Sequence, residues 1–253
     1  MTRIIMHGCN GRMGQVITGL LKEDENAQIV AGIDAYDGIK NDYPVFPTIW
    51  DCTVEADVII DFASIKAVDD LLEFCIAKQI PCVVCTTGLP KELMEKLEET
   101  SKKVAILKSA NMSLGINLFM KMLKEATKVL APAGFDIEIV EKHHNQKLDA
   151  PSGTALALAD AINEELDHEY DYVYDRSQKN EKRTKKEIGL SAVRGGTIVG
   201  DHDVIFAGND EVITFSHVAY SRGIFAKGAI QAAKFLDKKG PGYYTMSNVI
   251  DGE

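Results

Sequence analysis

Positive charge is scarce in this 253-residue chain. Its 28 Lys and Arg face 38 Asp and Glu, for a formal net charge of −10. Such a surface repels nucleic acid and anionic membrane, so neither is expected as a partner. A small anionic ligand stays open, because a local cationic site can sit inside an acidic envelope. Long apolar runs are missing too, and none approaches the ~20 residues of a membrane span. The stretch Met1 to Gly14 carries one Arg early, a short apolar run and then glycines. It reads as a buried strand entering a loop and not as a signal peptide. Cysteines number five, an odd count that points to reduced thiols and a cytoplasmic location. Cys82 and Cys85 form a CxxC, but no second CxxC and no nearby His completes a zinc set. The run Ile80 to Thr86 reads instead as a buried strand whose thiols act as small apolar groups, and no metal site is expected. Repeats and low-complexity linkers are absent. The length suits one large α/β domain or two domains sharing an interface, and it buries roughly three quarters of the unfolded surface without staples.

What is present is a regular alternation. Ile4-Ile5-Met6 reads as a strand, Met13 to Lys22 as a helix, and Gln28 to Asp34 and Val58 to Phe62 as strands. Ala67 to Lys78 is a helix, Cys82 to Cys85 a strand, Pro90 to Lys103 a helix with Pro90 in its first turn, and Val104 to Leu107 a strand. Alternation of this kind with continuous apolar strands predicts a parallel sheet covered on both faces. The pattern changes after Ala110-Asn111. Ser113 to Leu130 is a long helix, and Asp136 to His143 alternates so that Ile137, Ile139, Glu141 and His143 share one face. Ala155 to Leu166 is a helix. Tyr172 to Tyr174, Ile188 to Val193, Thr197 to Val199, Val204 to Ala207 and Val212 to Val218 read as strands of a mixed or antiparallel sheet, with a turn at Gly208-Asn209-Asp210. Ile224 to Leu236 is a final helix returning to the first domain. The basic stretch Lys179 to Lys186 reads as a solvated loop or helix face, in keeping with the acidic net charge.

Gly8-Cys9-Asn10-Gly11-Arg12-Met13-Gly14 follows the first strand and opens the first helix. One glycine serves a sharp turn, another lets backbone approach a pyrophosphate, and a third lets helix and strand pack closely. Phosphates then meet unpaired N–H groups at the helix N-terminus. The spacing is GxxGxxG where GxGxxG is commoner, and alone it says little. Asp34, at the end of the second strand, strengthens it, since an acid there accepts hydrogen bonds from the adenosine ribose. Asp is also at home at a strand end for turn reasons alone. Together the glycines, strand, helix and acid predict dinucleotide binding but not a chemistry.

The most informative stretch runs from Glu141 to Ala155. Two histidines, His143 and His144, end a strand, Lys147 follows, and Pro151-Ser152-Gly153-Thr154 turns into a helix. Neighbouring strand residues face opposite ways, so the two histidines need not share a role. The turn offers N–H groups and the Thr154 hydroxyl at a helix N-terminus, a seat for a carboxylate. Lys147 adds positive charge, and a histidine beside it can pass a proton near neutral pH. An ordinary capped helix would account for Ser152 or Thr154. It would not account for two histidines and a lysine gathered before the cap.

The segment from Glu138 to Ala155 closely resembles the signature of the dihydrodipicolinate reductases of the bacterial lysine pathway: a Glu, a His-His pair, a Lys, then Asp-Ala-Pro-Ser-Gly-Thr-Ala. The resemblance extends to Gly11-Arg12-Met13-Gly14, Asp61-Phe62, Thr86-Thr87-Gly88, Ala110 to Ser113, Arg194 to Gly200, and Gly242 to Met246. It implies reduction of a cyclic, doubly carboxylated imine (the 4-hydroxy-tetrahydro precursor, with loss of water) by hydride transfer to C4 from NADH or NADPH. It assigns His143 as proton donor and Lys147 as a second catalytic residue, with His144, Gly153 and Thr154 on the substrate carboxylates. Cofactor contacts map to Gly8, Cys9, Asn10, Gly11, Arg12 and Met13, to Asp34, to Cys85, Thr86 and Thr87, and to Ser109, Ala110, Asn111 and Met112. It also implies a homotetramer. Two departures stand out. Ala35 occupies a position where some members carry an Arg that can meet a 2′-phosphate, and with Asp34 repelling that phosphate the sequence leans to NADH. Cys85 stands where Gly is common, a change that a backbone contact tolerates.

The expected architecture is an α/β chain. Residues 1–114 with 223–253 form a Rossmann-type dinucleotide-binding domain, and residues 115–222 form an α+β substrate-binding and oligomerisation domain with a mixed open sheet. Competing readings are another amino-acid dehydrogenase of similar layout, against which the His-His-x-x-Lys run argues, and a non-catalytic NAD(H) sensor, which needs no proton donor beside an anion seat.

Overall fold

The computed structural model describes residues 1–253, the side chain of Gln178 excepted. In chain order its first elements are β1 (Thr2–His7), α1 (Arg12–Leu21), β2 (Ala27–Ile33), β3 (Val45–Phe46), β4 (Val58–Asp61), α2 (Ile65–Lys78), β5 (Cys82–Val84), α3 (Lys91–Ser101) and β6 (Ala105–Lys108). There follow α4 (Leu114–Leu130), β7 (Asp136–His143), α5 (Gly153–Glu164), β8 (Asp171–Tyr174), β9 (Glu187–Arg194), β10 (Gly200–Ala207), β11 (Val212–Ala219), α6 (Gly223–Leu236), β12 (Gly242–Tyr244) and α7 (Met246–Asp251). They form two compact units, Met1–Leu114 with Gly223–Glu253, and Gly115–Arg222.

The first unit is a seven-stranded parallel sheet in the order β12-β6-β5-β4-β1-β2-β3. Both faces are covered, which is why its strands are apolar without alternation. Ile4, Met6, Val58, Ile60, Val83 and Leu107 meet α1 and α6. Ile5, Ile59, Val84 and Ile106 meet α2 and α3 on the other side. β1 pairs with β2 on one flank and β4 on the other, so the connections after β1 and β4 leave in opposite senses. That makes their carboxyl ends the crevice where such sheets bind ligands.

The second unit is a five-stranded mixed sheet, β11-β10-β7-β9-β8. β9 is parallel to β7 and β8, and β10 is antiparallel to β7 and β11. α4 and α5 cover one face, where Ile116, Phe119, Leu123, Leu158 and Ile162 pack on Ile137, Ile139, Ile188, Val204 and Phe206. Only one face of β7 is buried, so its residues alternate buried and half-buried from Asp136 to His143.

Several expectations shift. Thr197 to Val199 is not a strand: Gly196, at φ +50°, turns the chain, and pairing resumes only at Gly200. Pro90 stands just before α3 as its extended cap and not in the first turn. β3, β12 and α7 are too short to show a period and were not anticipated from the sequence. Lys179 to Lys186 is largely an exposed loop, but Arg183 within it is 16% exposed and bridges Asp136 (3.2 Å) and Glu138 (3.1 Å). All five cysteines are buried free thiols. Cys82 and Cys85 belong to cores on opposite faces of the sheet, and burial pushes both thiols up. Among the described residues no helix is long and apolar enough to cross a membrane.

Candidate active site

In the first unit the glycine loop is built by close approach. Gly8 has φ +80°, and a Cβ there would lie 2.8 Å from the Phe62 carbonyl oxygen after β4. A Cβ on Gly14 would lie 2.3 Å from the Gly8 carbonyl oxygen and 2.5 Å from that of Cys9. Gly11 precedes α1, which has no side-chain cap, so the first N–H groups of the helix face an incoming anion without a competitor. Asp34 is tied into the loop: its carboxylate accepts from the Asn10 N–H (3.0 Å) and the Tyr36 N–H (3.0 Å). Asn10 in turn donates to the Tyr36 carbonyl and accepts from Asn41 (2.7 Å). The loop, Asp34, Ala35, Ser64 and Lys66 border a cleft of about 490 Å³. A cradle that a Cβ would fill, an uncapped helix and an acid at the edge of the same cleft fit a dinucleotide.

The remaining candidates in this unit lie at strand ends. Beneath them is the buried carboxylate of Asp61, which accepts from the Thr86 hydroxyl (2.7 Å) and the Ala63 N–H (3.1 Å), with His7 Nδ1 at 2.9 Å. Lys108 donates to the Thr86 carbonyl at 2.9 Å, and burial pushes its ammonium down. Thr87 and Ala110 are exposed. The Ser109 hydroxyl accepts from the Met246 N–H (3.0 Å), and Asn111 accepts from the Ser113 N–H (2.8 Å). Cys9, Cys85 and Met112 point their side chains into the core, so only their backbone can meet a ligand.

In the second unit β7 delivers Glu141 and His143 to the same buried face. Glu141 is 1% exposed and His143 8%. Glu141 Oε2 lies 2.6 Å from His143 Nδ1. Arg194, on the neighbouring β9, grips the same carboxylate with both Nη atoms at 2.7 and 2.8 Å, and donates to the Asp149 carbonyl at 2.6 Å. The Ser152 N–H donates to Glu141 Oε1 at 3.0 Å. Burial pushes the Glu141 carboxyl up, but Arg194, His143 and the Ser152 N–H outweigh it and hold the group below its ordinary range. Ser152 also caps α5, accepting from the Ala155 N–H at 3.1 Å. Gly153 and Thr154 then form the first turn of that helix. His144, just past the end of β7, is half-buried. Lys147 lies 2.9 Å from the Asp149 carboxylate. Lys147 first, with the Gly153 N–H behind it, holds that carboxyl below its ordinary range.

His202 on β10 completes the cluster. Its Nε2 is 3.2 Å from the Ser152 hydroxyl, and its ring meets that of His143 edge-on at 5.2 Å. Burial first, then the neighbouring His143, pushes His202 down to about 4, against the opposing pull of Glu141. His217 and Lys147 push the same way as His143. A folded-state value below that of the unfolded chain means the unfolded chain takes up the proton first. Stability is therefore full above about pH 6.5 and falls as the pH drops from 6.5 toward 4, by about 3 kcal/mol from this group. Urea midpoints recorded across that window should decline for the parent chain and decline less for His202→Gln. Equal slopes would assign the loss to other groups.

The structure thus gathers the glycine loop with Asp34, and separately His143 with the residues around Lys147 and Gly153. Sequence reasoning had Glu141 on the face of His143 but gave it no partner, and it gave no role to Arg194 or His202. Arg194 and His202 were hidden because β9 and β10 come tens of residues later in the chain.

A doubly wound parallel sheet with a glycine loop at its switch point, joined in one chain to a mixed-sheet unit bearing a histidine, a buried carboxylate and a lysine, fits one class: the Rossmann-type oxidoreductases. Comparison with known proteins narrows it. The family model for the N-terminus of dihydrodipicolinate reductase matches residues 2–112, and that for the C-terminus matches residues 115–250. The chain belongs to the dihydrodipicolinate reductase family. It is 53% identical to the 4-hydroxy-tetrahydrodipicolinate reductase of Caldanaerobacter subterraneus subsp. tengcongensis over 250 residues, 99% of this chain and 98% of that one. It is 49% identical to the enzyme of the same name from Clostridium tetani over 251 residues, again 99% and 98%. Among solved structures, the dipicolinate-bound dihydrodipicolinate reductase from Paenisporosarcina sp. TG-14 superposes with a TM-score of 0.81 at 25% identity, covering 97% of each chain.

Proposed function

We propose that this chain catalyses the NAD(P)H-dependent reduction of 4-hydroxy-tetrahydrodipicolinate to tetrahydrodipicolinate, a cytoplasmic step toward diaminopimelate and lysine. The observation that carries the reading is the Lys147 ammonium seated on a carboxylate, that of Asp149, at 2.9 Å in the loop between His143 and the first turn of α5. The same ammonium suits a ring carboxylate of the substrate, with His144, Gly153 and Thr154 assisting. The first unit holds the dinucleotide. Gly8 to Met13 take the pyrophosphate, Asp34 the ribose, and Cys85 to Thr87 with Ser109 to Met112 the nicotinamide end. Loss of the 4-hydroxyl as water leaves a conjugated dihydrodipicolinate ring, and the reduced nicotinamide, when bound, would supply a hydride to its C4. His143 supplies the balancing proton to the neighbouring carbon, and Lys147 fixes the carboxylate and offsets its charge.

NADH is the preferred cofactor in this reading. Asp34 accepts two backbone N–H groups as an anion and is followed by Ala35, which offers no cation to a 2′-phosphate. Lys66 borders the same cleft and keeps NADPH acceptable. The second sheet leaves one face without helices, with Val193 and Val218 exposed on it. That face is the surface for a homotetramer, which sedimentation equilibrium would read as four chain masses.

The direct test is oxidation of NADH and of NADPH, followed by absorbance, with substrate made in place by dihydrodipicolinate synthase from pyruvate and aspartate semialdehyde. The expected result is rapid, synthase-dependent oxidation of both, faster with NADH. No oxidation by folded protein that still binds NADH would discard the assignment, and faster oxidation of NADPH would reverse the cofactor preference.

A further inference from the structure

His143 has two ring nitrogens, and a proton donor is only as good as the certainty about which one faces the substrate. The surroundings of Glu141 remove that ambiguity. Oε1 accepts from Arg194 Nη2 (2.7 Å) and the Ser152 N–H (3.0 Å). Oε2 accepts from Arg194 Nη1 (2.8 Å) and faces His143 Nδ1 at 2.6 Å. A carboxylate held ionised by a guanidinium fork has lone pairs and no proton to give. The hydrogen between it and Nδ1 must therefore reside on the ring.

We propose that Glu141, backed by Arg194, is a positioning residue that locks His143 with its proton on Nδ1, so that Nε2 is the nitrogen that delivers the proton. The inference rests on the proposed reductase reading for its kinetic consequence but not for its geometry. In the step itself, Nε2–H breaks and its electron pair stays on the ring nitrogen. The new C–H bond beside C4 takes the electron pair that the incoming hydride displaces through the conjugated ring. The product imidazole is neutral, still protonated on Nδ1 and still bonded to Glu141, which never takes a proton. Reprotonation from solvent at Nε2 resets the ring without rotating it.

Two further contacts support the lock. Gly200 lies against the far edge of the ring, and a Cβ there would sit 3.0 Å from Nε2. A side chain at this position would crowd the delivering nitrogen, and glycine leaves it clear. Arg194 also holds the Asp149 carbonyl (2.6 Å), so the residue that fixes Glu141 also anchors the loop carrying Lys147. One guanidinium thus ties the proton donor and the anion seat to each other.

The first test needs no variant. In the ¹⁵N-histidine-labelled full chain, with and without NADH, long-range ¹H–¹⁵N spectra of the neutral His143 ring should show Nδ1 protonated and Nε2 bare, opposite to the form that free histidine favours. An Nε2–H form there would overturn the proposal whether or not the chain is a reductase. The second test is kinetic. Glu141→Gln keeps the shape but can present either amide atom to Nδ1, so the ring should populate both forms. kcat should fall about 10- to 100-fold, part of what a general acid contributes, with KM for the substrate and NADH affinity little changed. Removing one member of a buried pair can unfold the protein, so Glu141→Gln with Arg194→Met, which removes both charges, is made alongside. It should show the same mixed tautomer and the same fall in kcat, with KM raised only as far as loss of the Arg194–Asp149 anchor loosens the Lys147 loop. A raised KM with kcat intact in the folded double variant would mean that the pair only shapes the substrate seat, and would overturn the positioning role. Absence of any synthase-dependent turnover in the parent chain would discard the reductase reading and leave the spectroscopic test standing.

Discussion

Replacing His143 by Ala is expected to lower kcat by roughly 100- to 10,000-fold, the contribution of a positioned general acid, while NADH binds as before. The two halves of this expectation come from different parts of the molecule. In the proposed reading NADH affinity belongs to the glycine loop, Asp34 and the cleft beside them, all in the unit that contains β1. His143 belongs to β7 in the other unit, where its contacts are Glu141 and the edge of His202. Alanine there removes the ring without disturbing a strand whose register is fixed by β9 and β10 on both sides. Lys147→Ala should also nearly abolish turnover with the cofactor still bound. In the proposed reading it removes the fixed positive charge from the carboxylate seat and leaves only His144, Gly153 and Thr154. The measurement is steady-state oxidation of NADH in the synthase-coupled assay, beside a fluorescence titration of NADH. A His143→Ala protein that turns over within about threefold of the parent would remove it as proton donor, since a general acid contributes far more. A protein that merely bound and sensed NADH would give no turnover to lose.

How far the sequence foretold this site depends on how local the relevant constraint is. The alternation in β7 is a local pattern of period two, and its bounds, Asp136 to His143, follow from it directly. The parallel sheet was legible for the same reason: strands buried on both faces have to be apolar throughout, and helices have to alternate with them. The short edge strands β3 and β12 exert no such pressure on composition, since two or three residues cannot display a period. The glycine loop shows the limit more sharply. Its spacing was readable, but the reason Gly8 tolerates no side chain is the carbonyl of Phe62, at the end of a strand that arrives later in the chain and pairs with β1. Cys9 and Met112 fall within the candidate stretches, but a one-dimensional string does not say that their side chains turn into the core and leave only backbone to a ligand. The same holds for Glu141. Its face could be read from β7, but Arg194 and His202 reach it only because β9 and β10 flank that strand, a fact of register and not of composition.

Gly14→Ala is expected to weaken NADH binding by about 10- to 100-fold. The added Cβ would lie 2.3 and 2.5 Å from two backbone carbonyl oxygens, those of Gly8 and Cys9, which are the far wall of the cradle itself. Neither is the tip of a flexible side chain that could swing aside. Relief has to come from α1 moving away from the loop or the loop moving away from α1. The helix is the stiffer partner, because Ile17 and Leu21 anchor it in the core against β1 and β4. Overpacking of this kind costs roughly 1–3 kcal/mol, and strain released by opening the loop appears as a 10- to 100-fold rise in Kd, at about 1.4 kcal/mol per factor of ten. Gly19→Ala in the same helix is the control. Nothing lies within 4 Å of a Cβ at that position, so it should leave NADH affinity alone and stabilise the helix by roughly 0.5–1 kcal/mol. Fluorescence titration of NADH and urea unfolding of the two variants separate the cases. Affinity lost in Gly14→Ala alone assigns the cradle to the pyrophosphate. Equal losses in both would make helix stability the cause, and full affinity in Gly14→Ala would mean that the phosphates sit elsewhere.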